Sequence, residues 1–419
     1  MSCDVVDAGR LLPYPEALQI VLANVHPVGS EVLSLADAQG GFLVEAAKAL
    51  HHSPRFEQSA MDGYAVLLGD VQDSREDHPV TLELAGELPA GDQSLLTLKP
   101  GQTIKVFTGS RLPGGTEAVV MKEFVTLQGD RATIAWAVSE GDHIRRVGEE
   151  FQRGAEILPV GTRVTPPVVG MLAFLGRKSV AVGRRPSATV ITMGDELVAP
   201  GEKPGPGQIN DSNGPAIVAA LHALGLGTVH HTRVLDDPAA LREAMATGLA
   251  QSDVLITVGG ASVGDYDYVH ECRAALEVRD LFAKVAIKPG KPNLFGLGPD
   301  GTPVFGLPGN PVSALVSFHQ LVKPALLRMM GGPLPTTRLL PVKLNRATGK
   351  KKGRLNWLRG ILRFDQSTDP QLTADPVSGQ GSHMLSGLAL ADALLEIPAD
   401  SEGAAAGETV LAVPLNWNE

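Results

Sequence analysis

The chain has 419 residues, of which 43% are hydrophobic and 20% are charged, a composition typical of globular rather than disordered proteins. Its formal net charge of -10 argues against a general nucleic-acid binder, because phosphate backbones require a basic surface. Cysteines are too few for a disulfide framework, and neither a secretory signal nor a bilayer-spanning apolar run is visible, so we expect a soluble cytoplasmic protein of roughly two to four domains.

The N-terminal part of the chain combines a helix with a block of short strands. Residues 13–25 start with Pro and continue with apolar residues at helical spacing, which predicts a first helix. From about 51 to 145, short β-rich stretches separated by Gly, Pro and Asp predict a small inserted β domain. A glycine-punctuated stretch then leads to a predicted compact helix at 167–176.

Residues 186–330 alternate between predicted strands and predicted helices, which is typical of a parallel sheet with helices on both faces. The predicted strands are 187–193, 227–235, 252–258 and 302–307, and the predicted helices are 214–225, 236–251 and a stretch from 266. After 331, short strands without convincing helices predict a closing β-barrel or sandwich.

Each of those four strands runs directly into residues suited to binding. Glu196 follows the first strand, Asp236 the second, the loop 259–268 the third and the corner 308–313 the fourth. In an open α/β sheet, ligands bind at the carboxyl ends of the strands. If the four strands are parallel, all four segments lie along one edge and form a site.

The loop after the third strand suits an anion. Gly259, Gly260 and Gly264 let backbone amides approach a phosphate, and Ser262 adds a hydroxyl. An ordinary strand-to-helix turn explains the same glycines about equally well, and no Walker motif follows. Asp267 beyond them has the position of a common helix N-terminal charge.

A lysine segment follows, with Lys284, Lys288 and Lys291 in "KVAIKPGKPN". Clustered lysines usually form a solvated charge run. Here intervening prolines and a glycine predict a stiff loop, and a rigid cationic cluster on an acidic chain favours an anion site.

The corner "PGNP" cannot continue either a strand or a helix. Pro308 and Pro311 have no amide hydrogen, and Pro311 biases Asn310 away from helical backbone angles. The sequence predicts a short strand, a rigid corner and a helix that starts just past the second proline.

Three carboxylates complete the candidate site. Glu196, Asp236 and Asp267 follow strands of one predicted sheet, and with phosphate-binding loops they predict a site for Mg²⁺. The histidines show no zinc-binding spacing, and no G-x-S-x-G motif supports a hydrolase triad.

Six motifs, in chain order, closely resemble those of the molybdopterin molybdenumtransferases, the bacterial MoeA group and the E domain of gephyrin: "SAMDGYA", "VFTGSRLPGG", "TMGDEL", "GGASVGDYDYV", "IKPGKP" and "GLPGNPVSA". The resemblance spans essentially the whole chain. It implies a multidomain α/β plus β fold with a molybdopterin-binding α/β domain whose sheet is parallel-rich, an inserted β-rich domain, a discontinuous linking domain and a C-terminal β-barrel. The implied parts are 1–26 (an N-terminal helix on the α/β domain), 27–50 with 146–185 (linking), 51–145 (β-rich), 186–330 (α/β) and 331–419 (barrel).

The activity implied by the resemblance is Mg²⁺-assisted insertion of molybdate into adenylylated molybdopterin, with release of AMP. The family forms homodimers whose active cleft is completed by the β-rich domain of the second subunit. The upstream pterin adenylyltransferase and acceptor molybdoenzymes are the protein partners this implies, without nucleic acid or membrane. A non-catalytic molybdopterin carrier, a tungstate-selective homologue and a pterin adenylyltransferase remain alternatives.

Residue roles also follow from the resemblance. Asp62 and Thr108 would reach the cleft from the partner subunit, and Glu196, Asp236 and Asp267 would act as catalytic residues and metal ligands. The implied substrate contacts are Gly259, Gly260, Ser262, Gly264, Lys284, Lys288, Lys291, Pro308, Asn310, Pro311, Arg359 and Ser382.

The chain departs from the family pattern at two positions that matter. Glu150 stands where the family usually has Asp, and Asp392 stands where Asn is common. The side chain of Glu150 is longer than that of the aspartate it replaces, which would shift a ligand bound there.

Overall fold

The computed structural model describes residues 10–260, 268–334, 339–365 and 371–417. The chain forms two compact units, residues 46–159 and the segments on either side of that stretch. Among the described residues the helices are α1 (Tyr14–Ala23), α2 (Leu68–Val71), α3 (Pro166–Phe174), α4 (Asn213–Ala223), α5 (Pro238–Gln251), α6 (Tyr268–Ala275), α7 (Pro311–Ser317), α8 (Lys323–Met329) and α9 (Leu385–Ala389).

The unit of residues 46–159 is built on a six-stranded sheet with the order β7-β4-β6-β5-β9-β8. Its neighbouring strands are antiparallel except for β5 and β6. This is the β-rich domain expected from the sequence. The strands as far as residue 159 are β1 (Ser30–Ser34), β2 (Ala47–Lys48), β3 (Gln58–Ser59), β4 (Gly63–Val66), β5 (Val80–Leu88), β6 (Gln102–Val106), β7 (Ala118–Met121), β8 (Val125–Gln128), β9 (Arg131–Ile134), β10 (Ile144–Arg145) and β11 (Glu156–Leu158).

The other unit contains a six-stranded α/β sheet with the order β16-β13-β17-β21-β20-β18. Strands β16, β13, β17 and β21 are parallel neighbours, and they are the four strands predicted from the sequence. Strands β20 and β18 extend the sheet as antiparallel neighbours that the sequence did not predict. The strands from 160 to 334 are β12 (Ser179–Gly183), β13 (Ala188–Met193), β14 (Leu197–Val198), β15 (Ile209–Asn210), β16 (Val229–Val234), β17 (Val254–Val258), β18 (Arg279–Lys284), β19 (Ile287–Lys288), β20 (Pro292–Leu297) and β21 (Pro303–Leu307).

Helices cover both faces of this sheet. Val190 and Ile256 point to one core, which they share with α1, α4, α7 and α8, whereas Ile191 and Leu255 point to a second core with α5 and α6. Because successive side chains of a strand face opposite sides, a central strand covered on both faces is buried along its whole length and is mostly apolar. Strand β17 is buried at every position, as that rule requires.

Helices α7 and α8 are joined without a break by a π-helical turn at Phe318–Val322. Pro324 has no amide hydrogen to donate to the preceding turn, which accounts for the local widening. The joined helix lies in the core, and its turn is buried throughout. It therefore gives the corner that precedes α7 a firm base.

The C-terminal region is a closed five-stranded barrel in which β24, β25, β22, β28 and β26 are paired in that order and β26 pairs back to β24. Strand β19 is added to β24 in parallel. The strands from 339 to 417 are β22 (Leu340–Leu344), β23 (Thr348–Gly349), β24 (Leu355–Asp365), β25 (Gln371–Pro376), β26 (Ala393–Ile397), β27 (Gly403–Ala404) and β28 (Thr409–Pro414).

The multidomain α/β plus β architecture expected from the sequence is thus confirmed. The finer division, with residues 27–50 and 146–185 as a linking body of their own, stays a prediction. Within the described ranges, no helix combines the length and apolar character that a membrane crossing requires.

Asp253 anchors the turn between β12 and β13. It accepts hydrogen bonds from Arg184 Nη1 at 2.9 Å, Arg184 Nη2 at 2.7 Å and both the amide and the hydroxyl of Ser187 at 2.7 Å. Although burial by itself raises the pKa of Asp253, these bonds lower it to about 2. Because the carboxylate is favoured in the folded state, its contribution is present above its unfolded pKa near 3.8 and is lost as the pH falls toward 2.

We therefore expect Asp253→Asn to lower the free energy of unfolding by about 2 kcal/mol at pH 7 and by much less at pH 2. Calorimetric melting at both pH values measures the difference. Asp300→Asn, which changes an exposed aspartate in a loop, is the matched control. An equal loss of unfolding free energy at pH 7 and pH 2 would contradict the expected contribution of the ionised Asp253 carboxylate to stability.

Candidate functional site

The described residues that directly follow the four parallel strands lie along one edge of the α/β sheet, as the strand directions require. The turns after β13 and β16 are tied together, since the Asp236 amide donates to Asp195 Oδ1 at 3.0 Å and the Asp195 amide faces Asp236 Oδ2 at 3.4 Å. The turns after β17 and β21 are tied by a 3.1 Å hydrogen bond from the Gly259 amide to the carbonyl of Leu307.

The glycines after β17 are required by close packing and by backbone conformation. Gly259 has a φ of +100° and Gly260 a φ of +64°. A Cβ on Gly259 would lie 2.8 Å from the carbonyl oxygen of Met193, so a side chain cannot be added without displacing β13. Ser262, Gly264 and Asp267, predicted in the same loop, lie outside the described residues.

The acidic residues at this edge are exposed. Glu196 and Asp236 both reach solvent, and the carbonyl of Glu196 accepts the amide of Ile209 at 2.7 Å. In the described ranges, no three His, Cys, Asp or Glu side chains gather closely enough to bind a metal ion. Mg²⁺ often takes only one or two protein carboxylates and completes its shell with water and phosphate oxygens. Glu196 and Asp236 are two exposed carboxylates at this edge, and a Mg²⁺ site there stays a prediction.

The lysine segment reaches the same edge because β18 runs parallel to β21 and β20 returns antiparallel beside it. Lys284 ends β18 and is half-buried, whereas Lys288 and Lys291 are exposed. In the part of the chain that the structure describes, none of the three ammonium groups has a hydrogen bond or ion pair. The segment therefore offers three cations with no internal counter-charge.

The backbone of the lysine segment is held firmly. The Val285 amide donates to the carbonyl of Lys291 at 2.9 Å, which closes the loop. Gly290 has a φ of +99°, and a Cβ there would lie 2.6 Å from Ser317 Oγ of α7. The Lys288–Pro289 peptide bond is cis. A tight backbone carrying free cations is the stiff loop that the sequence predicted.

The corner between β21 and α7 is held by a hydrogen bond to the segment that carries Ser382 and, as described below, by one from α4. Pro308 is buried, Asn310 is the N-cap residue, and the helix begins at Pro311 itself rather than just past it. The Val312 amide donates to the carbonyl of Ser382 at 3.1 Å, which brings Ser382 from the C-terminal region to the N-terminus of α7.

Arg359, predicted to contact the substrate, lies beneath the segment that carries Ser382. Its side chain is fully buried, and its guanidinium donates to the carbonyls of Gly379 at 2.8 Å, Gln380 at 3.1 Å and Gly381 at 3.1 Å. Burial lowers its pKa. The geometry gives Arg359 a supporting role beneath the segment that carries Ser382, and direct contact with a substrate stays a prediction.

A buried carboxylate below the edge was not predicted from the sequence. Asp211 accepts hydrogen bonds from Thr192 Oγ1 at 2.8 Å and from the Gly214 amide at 3.0 Å, and His231 Nε2 lies 3.5 Å from its Oδ2. Although burial by itself raises the pKa of Asp211, the bonds from His231, Gly214 and Thr192 lower it. The network fixes the start of α4 to β13 and β16.

Asn213, at the start of α4, connects this network to the corner between β21 and α7, because its Nδ2 donates to the carbonyl of Gly309 at 2.7 Å. We expect Asn213→Ala to speed amide exchange at Val312 about tenfold, the effect of losing one such bond. Hydrogen-exchange mass spectrometry measures it. Asn24→Ala, which removes a 2.8 Å amide-to-carbonyl bond in α1, is the control. Unchanged exchange at Val312 would show that the corner is rigid without Asn213.

The unit of residues 46–159 brings Asp62 and Thr108 together. Asp62 Oδ1 accepts both the amide and the hydroxyl of Thr108 at 2.9 Å, and Lys122 Nζ lies 3.2 Å from Oδ2. The backbone and side-chain bonds from Thr108, and then Lys122, lower the pKa of Asp62 to about 2. Lys122 was not predicted, since a single lysine after a strand gives no local signal.

The two departures from the family pattern are accommodated locally. Glu150 Oε2 accepts the hydroxyl of Ser53 at 2.7 Å. Asp392 Oδ2 accepts the amide of Leu362 at 2.9 Å within the barrel. Both acidic side chains thus have structural hydrogen bonds inside their own units.

Three family models match consecutive parts of the chain. They are described as the MoeA N-terminal region (domain I and II) at residues 12–176, a probable molybdopterin binding domain at 189–328 and the MoeA C-terminal region (domain IV) at 341–415.

Characterised relatives are similar over most of their length. The molybdopterin molybdenumtransferase of Nostoc sp. is 34% identical over 400 residues, which cover 92% of this chain and 89% of the relative. Molybdopterin molybdenumtransferase 2 of Mycobacterium tuberculosis is 36% identical over 379 residues, covering 89% and 92%. The crystal structure of the molybdopterin biosynthesis moeA protein from Pyrococcus horikoshii OT3 matches with a TM-score of 0.82 and 30% identity, covering 97% of this chain and 100% of that one.

Proposed function

Because this chain belongs to the MoeA family of molybdopterin molybdenumtransferases, which act in molybdenum cofactor biosynthesis, we propose that it inserts molybdate into adenylylated molybdopterin and releases AMP. The observation that carries the proposal is the carboxyl edge of the α/β sheet. Glycine-lined turns, exposed carboxylates and a proline corner meet there, together with three lysines whose ammonium groups have no partner among the described residues. Such an edge suits several anionic groups held side by side.

The chain's own residues would divide the work. Two dianions and a phosphoanhydride repel one another, and Lys284, Lys288 and Lys291 would offset that repulsion. The Pro308–Pro311 corner would form one wall of the molybdate pocket, with Asn310 and Ser382 beside it. The amides of Gly259 and Gly260, with Ser262 and Gly264, would receive the pterin phosphate.

Glu196 and Asp236, together with Asp267, would hold a Mg²⁺, which when bound offsets phosphate charge and polarises a phosphoryl oxygen. A bound molybdate would place one of its oxygens beside the adenylate, so that cleavage of the P–O bond is coupled to insertion of the metal oxyanion. Through the Mg²⁺ that they hold, Glu196, Asp236 and Asp267 would fix the position of the diphosphate relative to the molybdate oxygen.

We further propose that the enzyme acts as a homodimer in the cytoplasm. Asp62 and Thr108 of a second copy would then complete the cleft, with Lys122 holding the Asp62 carboxylate in place. Exchange with the upstream pterin adenylyltransferase and with acceptor molybdoenzymes would supply and remove the pterin.

Single-turnover release of AMP tests the proposal. Purified protein is mixed with adenylylated molybdopterin, molybdate and Mg²⁺, and AMP is followed by chromatography. We expect Glu196→Gln to slow release about 10²-fold, because a neutral amide cannot replace a charged ligand. Glu243→Gln, on the exposed face of α5, is the control and should leave the rate unchanged.

The outcomes separate the alternatives. AMP release no faster than without protein would indicate a pterin carrier rather than an enzyme. Release driven by tungstate at lower concentrations than molybdate, in a competition assay, would indicate a tungstate-selective enzyme, since the two oxyanions have the same charge.

A further inference from the structure

A pocket of about 560 Å³ lies between the start of α1 and the outside of the barrel. This volume is within the usual range of small-ligand sites. Its described lining residues are Leu11, Pro13, Tyr14, Pro15, Ala286, Leu339, Gly353, Leu355, Trp357, Glu396, Pro398 and Ala399. Ala286 is the one described lining residue that belongs to the lysine segment. None of the described lining residues is among those assigned to the site at the carboxyl edge of the α/β sheet.

The barrel wall of the pocket is one face of two paired strands. Trp357 of β24 lies directly opposite Glu396 of β26 in the antiparallel ladder, so both side chains are on the same face. Leu355 shares that face because it is two residues before Trp357. Leu395 and Ile397, on either side of Glu396 along β26, pack inside the barrel. Glu396 is therefore directed out of the barrel and toward α1.

Two aromatic rings line the pocket beside this acid. The rings of Tyr14 and Trp357 meet edge to face, with centroids 5.6 Å apart. The Tyr14 hydroxyl donates to Gln320 Oε1 at 2.9 Å, which fixes the ring. Trp357 is only 1% exposed, and its Nε1 has no acceptor among the described residues. Fixed aromatic faces and edges next to a carboxylate are a recurrent environment for organic cations.

Glu396 is the one charged side chain among the described lining residues, and it has no hydrogen bond or ion pair within the described ranges. Burial raises its pKa. Lys350 is near this wall, but its Nζ donates to the carbonyls of Arg354 at 3.1 Å and Ala399 at 3.2 Å. The pocket thus contains a partly buried acid that has no counter-charge among the described residues, and a ligand cation would supply one.

We propose that this pocket binds a small organic ammonium compound with an apolar body. The ammonium group pairs with Glu396, and the body lies against Tyr14, Trp357 and Leu355. The proposal is independent of the molybdate chemistry, because it uses other residues.

Isothermal titration with the full chain tests it, using 2-phenylethylamine and its neutral analogue 2-phenylethanol. We expect the amine to bind at one site and the alcohol to bind about tenfold more weakly, since a charge-assisted hydrogen bond is replaced by a neutral one. Glu396→Gln should weaken amine binding about tenfold and leave alcohol binding unchanged.

Glu402→Gln is the matched control, because Glu402 is an exposed acid of the same barrel that pairs with Lys352 at 3.7 Å. It should bind the amine as the native chain does. Melting temperatures of both variants report whether they are folded. Absence of saturable binding of the amine up to about 10 mM, or equal affinity of the native chain and Glu396→Gln for it, would overturn the proposal.

Discussion

The double variant Lys288→Ala, Lys291→Ala is expected to bind molybdate about 10²- to 10³-fold more weakly than the native chain. Both side chains are exposed at the carboxyl edge, and neither has an internal partner within the described residues. A hydrogen bond to a charged group contributes about 1.5–3 kcal/mol, and about 1.4 kcal/mol corresponds to a tenfold change in affinity. Because both lysines are exposed, we take the lower end of that range for each bond, and two such bonds to one dianion then give about 10²- to 10³-fold. Isothermal titration with molybdate at constant ionic strength measures the dissociation constants.

Lys178→Ala is the control for this experiment, because it removes an exposed lysine outside the lysine segment. Each single variant should lose about tenfold, and the affinity of the native chain should fall as salt is added. If the double variant binds molybdate as tightly as Lys178→Ala does, Lys288 and Lys291 are ordinary solvated charges and the proposed oxyanion site must lie elsewhere.

The parallel part of the α/β sheet could be predicted because its signal is local. Strands β13, β17 and β21 are buried at every position and mostly apolar, and each ends at a polar or glycine-rich turn. The convergence of Glu196 and Asp236 then follows from strand direction alone. For these residues the sequence contains the necessary information.

The antiparallel strands β18 and β20 could not be predicted in the same way. Strand β20 begins with Pro292 and contains Gly296, which are both unfavourable in strands, and its pairing with β18 and β21 stabilises it. The position of the lysine segment depends on this pairing, since β18 must run parallel to β21 for Lys284 to reach the edge. Local composition indicated the stiff loop but not its place.

Residues that act through others were missed because they have no local signature. Asp211 and Asn213 sit in an unremarkable turn, and their partners Thr192, His231 and Gly309 are distant in sequence. The hydrogen bonds from the buried Arg359 guanidinium to three backbone carbonyls are likewise a role that no local pattern indicates, and its predicted contact with the substrate stays a prediction. Sequence patterns identify residue types at a site, whereas orientation depends on tertiary packing.

Arg273→Leu is expected to destabilise the larger unit by about 3–5 kcal/mol, the usual effect of removing one partner from a buried ion pair. Arg273 of α6 is 0% exposed, and its Nε donates to Asp280 Oδ1 of β18 at 2.7 Å. Its Nη2 also pairs with Asp280, and His270 Nδ1 lies 3.6 Å from Asp280 Oδ2. Although burial by itself raises the pKa of Asp280, His270 and Arg273 lower it. Without the guanidinium, a partly buried carboxylate loses most of its compensation.

Calorimetric melting at pH 7 measures this effect, and Arg279→Leu is the control because Arg279 is an exposed arginine of the same strand, β18. The double variant Arg273→Met, Asp280→Leu should lose less stability than Arg273→Leu, since it leaves no unpaired carboxylate. This comparison separates the cost of an orphaned charge from the cost of lost packing. If the double variant is as unstable as Arg273→Leu, packing of the arginine stem accounts for the loss, and the ion pair does not hold α6 to the edge of the sheet.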